Sequence, residues 1–166
     1  MSEFANLADS FLRVLAAERG ASARNLEPLK ECLADLDQLV QQDPVSEEAF
    51  SAYVTLNARF HALLTELSGS APLIRQIDRA SALPFASPSA FVMAQSALPE
   101  AHQILLIAQD HHRIVVDAIE NREGTRAEAV MREHSRLAAR NLRLALRNRS
   151  HLDLLPALAL LKSTAD

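Results

Sequence analysis

Apolar residues recur at three- and four-residue spacing along most of this chain, and the pattern stops only where Gly or Pro intervenes. Such spacing lines one side of a helix, whereas the strict alternation of a half-buried strand is missing. The first stripe, Phe4, Leu7, Phe11, Leu12 and Leu15, predicts a helix over 3–19 that ends at Gly20. Ser22 or Asn25 can cap a second helix, with Pro28 early enough to be tolerated and Leu29, Leu33, Leu36 and Val40 on its buried side. Asp43-Pro44 breaks it. Ser46 caps a third, with Glu47 and Glu48 where the helix dipole favours acids, running to about residue 67 before Ser68-Gly69.

Pro72 opens a further helix to about residue 80. Pro84, Pro88 and Pro99 break up the stretch 81–99, which has room for a short helix over 91–97. A long helix is expected over 100–121, and Thr125 with Glu128 forms a capping box for another reaching about residue 148. Leu152, Leu155, Leu158 and Leu161 mark a short docked or interface helix interrupted by Pro156. The expectation is one all-α domain over residues 1–166, with six to seven helices.

Composition agrees. With 3 Gly and 4% aromatic residues in 166, the chain is poor in turn and strand formers. No run of eighteen apolar residues predicts a membrane span, and Met1-Ser2-Glu3-Phe4 lacks the basic and apolar regions of a signal peptide. One cysteine, Cys32, excludes an internal disulfide framework and fits a cytoplasmic location; its place between charged residues makes it incidental to function. A net charge of -4 argues against direct DNA contact, which calls for a basic surface.

Three helices carry polar residues on their apolar faces. Tyr53, Asn57, Phe60, His61 and Leu64 share one side of the third helix, with Asn57 and His61 one turn apart. His112 stands among Leu105, Ala108, Val115, Val116 and Ile119. His134 and Asn141 interrupt the stripe of Ala127, Val130, Met131, Leu137, Ala138 and Ala145. A buried polar group without a partner costs roughly 2–7 kcal/mol on transfer scales, so each must be satisfied. A single buried histidine is ordinarily a hydrogen-bonded core residue. Three on three inward faces, with an amide oxygen, also suit a divalent metal held inside a bundle. Spacing alone leaves both readings open.

The run Asn57-Ala58-Arg59-Phe60-His61-Ala62-Leu63-Leu64 resembles the Asp/Asn-x-x-Phe-His-x-x-Leu motif of the FCD domain, the C-terminal effector domain of FadR-type GntR transcription regulators. Ser68-Gly69-Ser70-Ala71-Pro72-Leu73 is similar to that family's Ser-Gly-Asn-Pro-x-Leu. His112-Arg113-Ile114-Val115-Val116-Asp117-Ala118-Ile119 resembles His-x-x-Ile-x-x-Ala-Ile, and Met131-Arg132-Glu133-His134 resembles Met-x-x-His. Ala16-Ala17-Glu18-Arg19-Gly20-Ala21-Ser22 looks like the end of the first FCD helix. Each motif is short; their order and spacing together carry the resemblance over nearly the whole chain.

The resemblance implies an antiparallel helical bundle that forms a homodimer. It also implies a metal site of Asn57, His61, His112 and His134 for Zn, Ni or Mn, with a small carboxylate effector bound beside it. Asn57 stands where the family more often has Asp, which replaces a charged ligand with a neutral carbonyl. Arg79 and Asn141 are the expected effector-binding residues. The family's winged helix-turn-helix is expected to be absent from this chain, with DNA reached only through such a domain.

His111 points about a quarter-turn from His112 and could exchange roles with it, although the family pattern favours His112. His102 and His151 are expected at the surface. Arg132, Arg136, Arg140, Arg143 and Arg147 form a basic stripe, read as a solvated helix face; the alternative is a docking surface for a DNA-binding domain or an acidic partner. Phosphate loops and nucleophile elbows are absent, so the expectation is a sensor and not an enzyme. The runner-up is a metal-dependent, hydrolase-like bundle enzyme, which would need an acid or base beside the metal. A metal-free helical dimer is the third reading.

Overall fold

The computed structural model describes residues 22–42, 45–81 and 100–147, and within them the chain is all-helical. The helices expected over 3–19 and 91–97 and the leucine-rich tail lie outside the described residues.

Five helices are described: α1 Ala23–Val40, α2 Glu47–Glu66, α3 Ala71–Ser81, α4 Ala101–Glu120 and α5 Gly124–Arg147. The caps explain two of the starts. Ser22 Oγ accepts from the Asn25 amide at 3.3 Å and Ser46 Oγ from the Ala49 amide at 3.1 Å, so Ser22 rather than Asn25 begins α1. The Ser46 hydroxyl satisfies an amide of the first turn, and the Asn25 amide donates to the Ser22 carbonyl at 2.9 Å as well as to its hydroxyl. The apolar stripes are then buried as the periodicity requires. Leu29 and Leu36 of α1, Phe60 and Leu64 of α2, and Leu105 and Val115 of α4 are shielded from water, each contributing about 1.5–3 kcal/mol on burial.

Helix α1 packs on both α2 and α4, and α4 packs on α5. Contacts along α1 and α4 run in opposite senses. His102 meets Val40, Gln109 meets Asp37 and Leu33, and Lys30 meets Glu120, so the two helices are antiparallel. The same order holds across α4 and α5, where Asp117 pairs with Arg126 and His112 faces His134. His102, expected at the surface, is half-buried, its Nε2 2.9 Å from the Val40 carbonyl oxygen at the end of α1. A carbonyl that the last turn of one helix leaves without an intrahelical partner thus meets a side chain of another helix.

The start of α5 differs from the expected capping box. The helix begins at Gly124, one residue before Thr125, and the Ala127 amide donates to the Glu123 carbonyl. The cause lies at the end of α4. Arg122 has φ 61, and the amides of Arg122 and Glu123 return to the carbonyls of Ile119 and Ala118. This is a left-handed helix stop of the kind that usually employs glycine. It turns the chain within three residues and starts the next helix before Thr125 can cap it. Gly69 makes the equivalent turn after α2, with φ 62.

Candidate metal centre

Tyr53, Asn57, Phe60, His61 and Leu64 form the buried face of α2, as their spacing requires. His112 is buried in α4 and His134 half-buried in α5. Three packed helices therefore bring three imidazoles together. Ring centroids are separated by 5.4 Å for His61 and His112, 5.5 Å for His61 and His134, and 4.8 Å for His112 and His134. Phe60 closes one side, its ring tilted against His112 at 4.3 Å and edge-on to His61 at 5.7 Å.

Each histidine offers one nitrogen such that all three lie within 4.8 Å of one another, a group able to hold a metal ion. Metal–imidazole bonds of about 2.1 Å call for a tighter set than this. The donor chemistry fits a borderline ion such as Zn or Ni: three neutral nitrogens, enclosed on one side by an aromatic ring. Among the described residues, no carboxylate joins the group.

The remaining expected site residues fall in different places. Asn57 is buried one turn before His61 on the same face of α2. Asn141 is buried two turns after His134, and its Oδ1 has no hydrogen-bond partner among the described residues. Arg79 is exposed in the last turn of α3. His111 is half-buried with its ring 5.9 Å from that of His134, so a fourth imidazole borders the trio. Its Nδ1 is also buried and has no hydrogen-bond partner among the described residues.

Sequence reasoning missed Gln109. It is wholly buried in α4, one turn before His112, with Oε1 3.0 Å from His112 Nδ1. Its Nε2 donates to the Leu33 carbonyl at 3.2 Å and to Asp37 Oδ1 at 2.6 Å. Arg113 holds the same Asp37 oxygen, at 3.0 Å through Nε and 2.7 Å through its guanidinium fork. The spacing of Gln109 to His112, three residues on one helix, was the available signal.

Two other buried groups have altered acidity. Burial pushes the Tyr53 phenol well above its usual range, and its hydroxyl has no hydrogen-bond partner among the described residues. Burial also raises the Cys32 thiol, against a lowering influence from Arg59. Cys32 packs in the core with Sγ 3.5 Å from the Leu56 carbonyl oxygen, in keeping with an incidental role. The described part of the basic stripe is a solvated face. Arg132, Arg136 and Arg140 are exposed, with Arg132 paired to Glu128 and Arg136 to Glu133. No helix among the described residues is long and apolar enough to cross a membrane.

The profile of the FCD domain matches residues 10–139, and with them all three converging histidines. No curated protein matches the chain.

Proposed function

The chain belongs to the FCD domain family, and from that premise we propose that it is the ligand-sensing and dimerisation domain of a GntR-type transcription regulator of the FadR subfamily. One observation carries the reading: three imidazoles from three helices converge inside the bundle, within the matched region. Asn57, His61, His112 and His134 would hold a divalent ion (Zn, Ni or Mn), which when bound supplies a positively charged anchor. All four donors are neutral. They leave the charge of a dication uncompensated in a site that is largely closed to water, where a missing counter-charge is costly. An anionic ligand meets that need, and a small carboxylate is the effector class proposed. Asn141 supplies a second polar contact from α5, and Arg79 a charge-assisted one if α3 closes on the ligand.

The effector then bridges helices α2, α4 and α5. Its preference for one arrangement of those helices is what would shift the homodimer, and with it the DNA affinity of a winged-helix domain in the same regulator. The domain has no catalytic role in this reading. The hydrolytic alternative gains nothing from the geometry, because among the described residues no carboxylate stands with the histidines to serve as a base.

Elemental analysis of untagged protein, followed by calorimetry of the metal-loaded protein against a panel of small carboxylates, tests the proposal. Stoichiometric metal and a carboxylate bound only in its presence are expected. Metal-saturated protein that binds no carboxylate would overturn the effector assignment.

A further inference from the structure

We propose that Gln109, held in place by Asp37, fixes the tautomer of His112 and thereby aims its Nε2 lone pair at the histidine cluster. Gln109 is a positioning residue in this account.

The Gln109 amide has one possible orientation. Its Nε2 lies within hydrogen-bond distance of the Leu33 carbonyl oxygen and Asp37 Oδ1, and both of these accept only. The amide nitrogen has two hydrogens and both are used. Reversing the amide would set its oxygen against two acceptors inside the bundle, so Oε1 must face His112. Oε1 in turn can only accept, so at 3.0 Å His112 Nδ1 must carry the proton. A neutral imidazole protonated at Nδ1 has its lone pair at Nε2. That lone pair is the one a metal would take, and a hydrogen bond to the other nitrogen is the usual means of orienting such a ligand.

The anchor of this chain is itself fixed. Arg113 grips Asp37, and α1 and α4 are packed together along their lengths. The link therefore runs from Arg113 through Asp37 and Gln109 to His112. An amide at the end of it accepts the Nδ1 hydrogen without adding a charge beside the ring. A carboxylate there would favour the imidazolium form, which cannot bind a metal.

The inference takes its purpose from the trio's reading as a metal centre, but its test does not depend on metal. Long-range proton–nitrogen correlation spectra of the metal-free full chain at pH 8 report the tautomer directly, with His112 assigned through His112→Gln. The expected result is His112 protonated at Nδ1. Gln109→Leu should lose that preference and weaken zinc binding, measured by chelator competition, by about 10–100-fold. Asp37→Asn, which replaces the fixing acceptor with an amide that can itself donate, should lower the Nδ1–H preference in the same direction.

Wild-type His112 protonated at Nε2 would overturn the proposal, as would Gln109→Leu with tautomer and zinc affinity unchanged. If Gln109→Leu does not fold, the wild-type spectrum and Asp37→Asn still decide. Protein with the expected tautomer that binds no metal would leave the positioning role standing and remove the metal reading.

Discussion

Leu29 and Leu36 on α1 and Gln109 and His112 on α4 are equally shielded from water, yet they are held by different physics. The leucines gain free energy merely by leaving solvent, in proportion to area and with little regard for direction. Gln109 and His112 lose it unless every donor meets an acceptor at a definite distance. One half of the core therefore tolerates repacking of similar volume, and the other does not. The apolar half makes the bundle; the polar half holds His112 in a defined place within it.

Damaging each half separately shows whether the two are independent. Leu36→Ala should cost about 2–5 kcal/mol of stability, measured by urea unfolding, while leaving metal stoichiometry unchanged. If metal binding disappears with it in protein that is still folded, the two halves are not separable. A site metal at a hundred times its dissociation constant should stabilise the wild type by about 2.7 kcal/mol. For a chain of this size that corresponds to a rise in Tm of about 5–10 °C. His134→Ala should abolish the rise in a thermal melt, and a variant that keeps it would remove His134 from the ligand set.

Two smaller changes refine the contrast. Arg122 adopts the left-handed conformation that Gly69 adopts at the end of α2. Arg122→Gly should therefore stabilise the chain by up to about 1 kcal/mol by removing that strain, and a loss of stability in chemical denaturation would contradict it. Tyr53 carries a buried hydroxyl on the α2 face. Tyr53→Phe should change stability by less than about 1 kcal/mol, in the stabilising direction. The phenol has a folded pKa raised above its unfolded value near 10. Its contribution is present below that pH and is lost as pH rises beyond it, because the unfolded chain then releases a proton that the folded chain keeps. Unfolding curves of Tyr53→Phe should be flatter above pH 10 than those of the wild type.

Much of this was legible in the residues alone. Ser22 and Ser46 announce their helices, since a capping hydroxyl acts on amides two or three residues away. His61, His112 and His134 each stood out as a polar interruption on an apolar face, and the FCD pattern placed them in one set. What could not be read depended on how helices register against one another. Asp37 and Gln109 lie 72 residues apart in sequence, and only the antiparallel seating of α4 on α1 joins them. His102 was misplaced for the same reason, because its partner is the last carbonyl of another helix. The Thr125 capping box was overruled by the turn that precedes it. A left-handed Arg122 is invisible to propensity rules, which reserve that conformation for glycine.

The three-residue turn at Arg122 also bears on how the molecule assembles. It folds α4 and α5 into a hairpin that brings His112 opposite His134 through short-range contacts alone. His61 comes from far up the chain, on α2, which packs on α1. Closing that longer loop costs more chain entropy than closing the hairpin. A ligand gripping all three rings would thus act as a clasp between a locally closed element and one joined to it over a long stretch of chain. It would slow their parting more than it hastened their meeting.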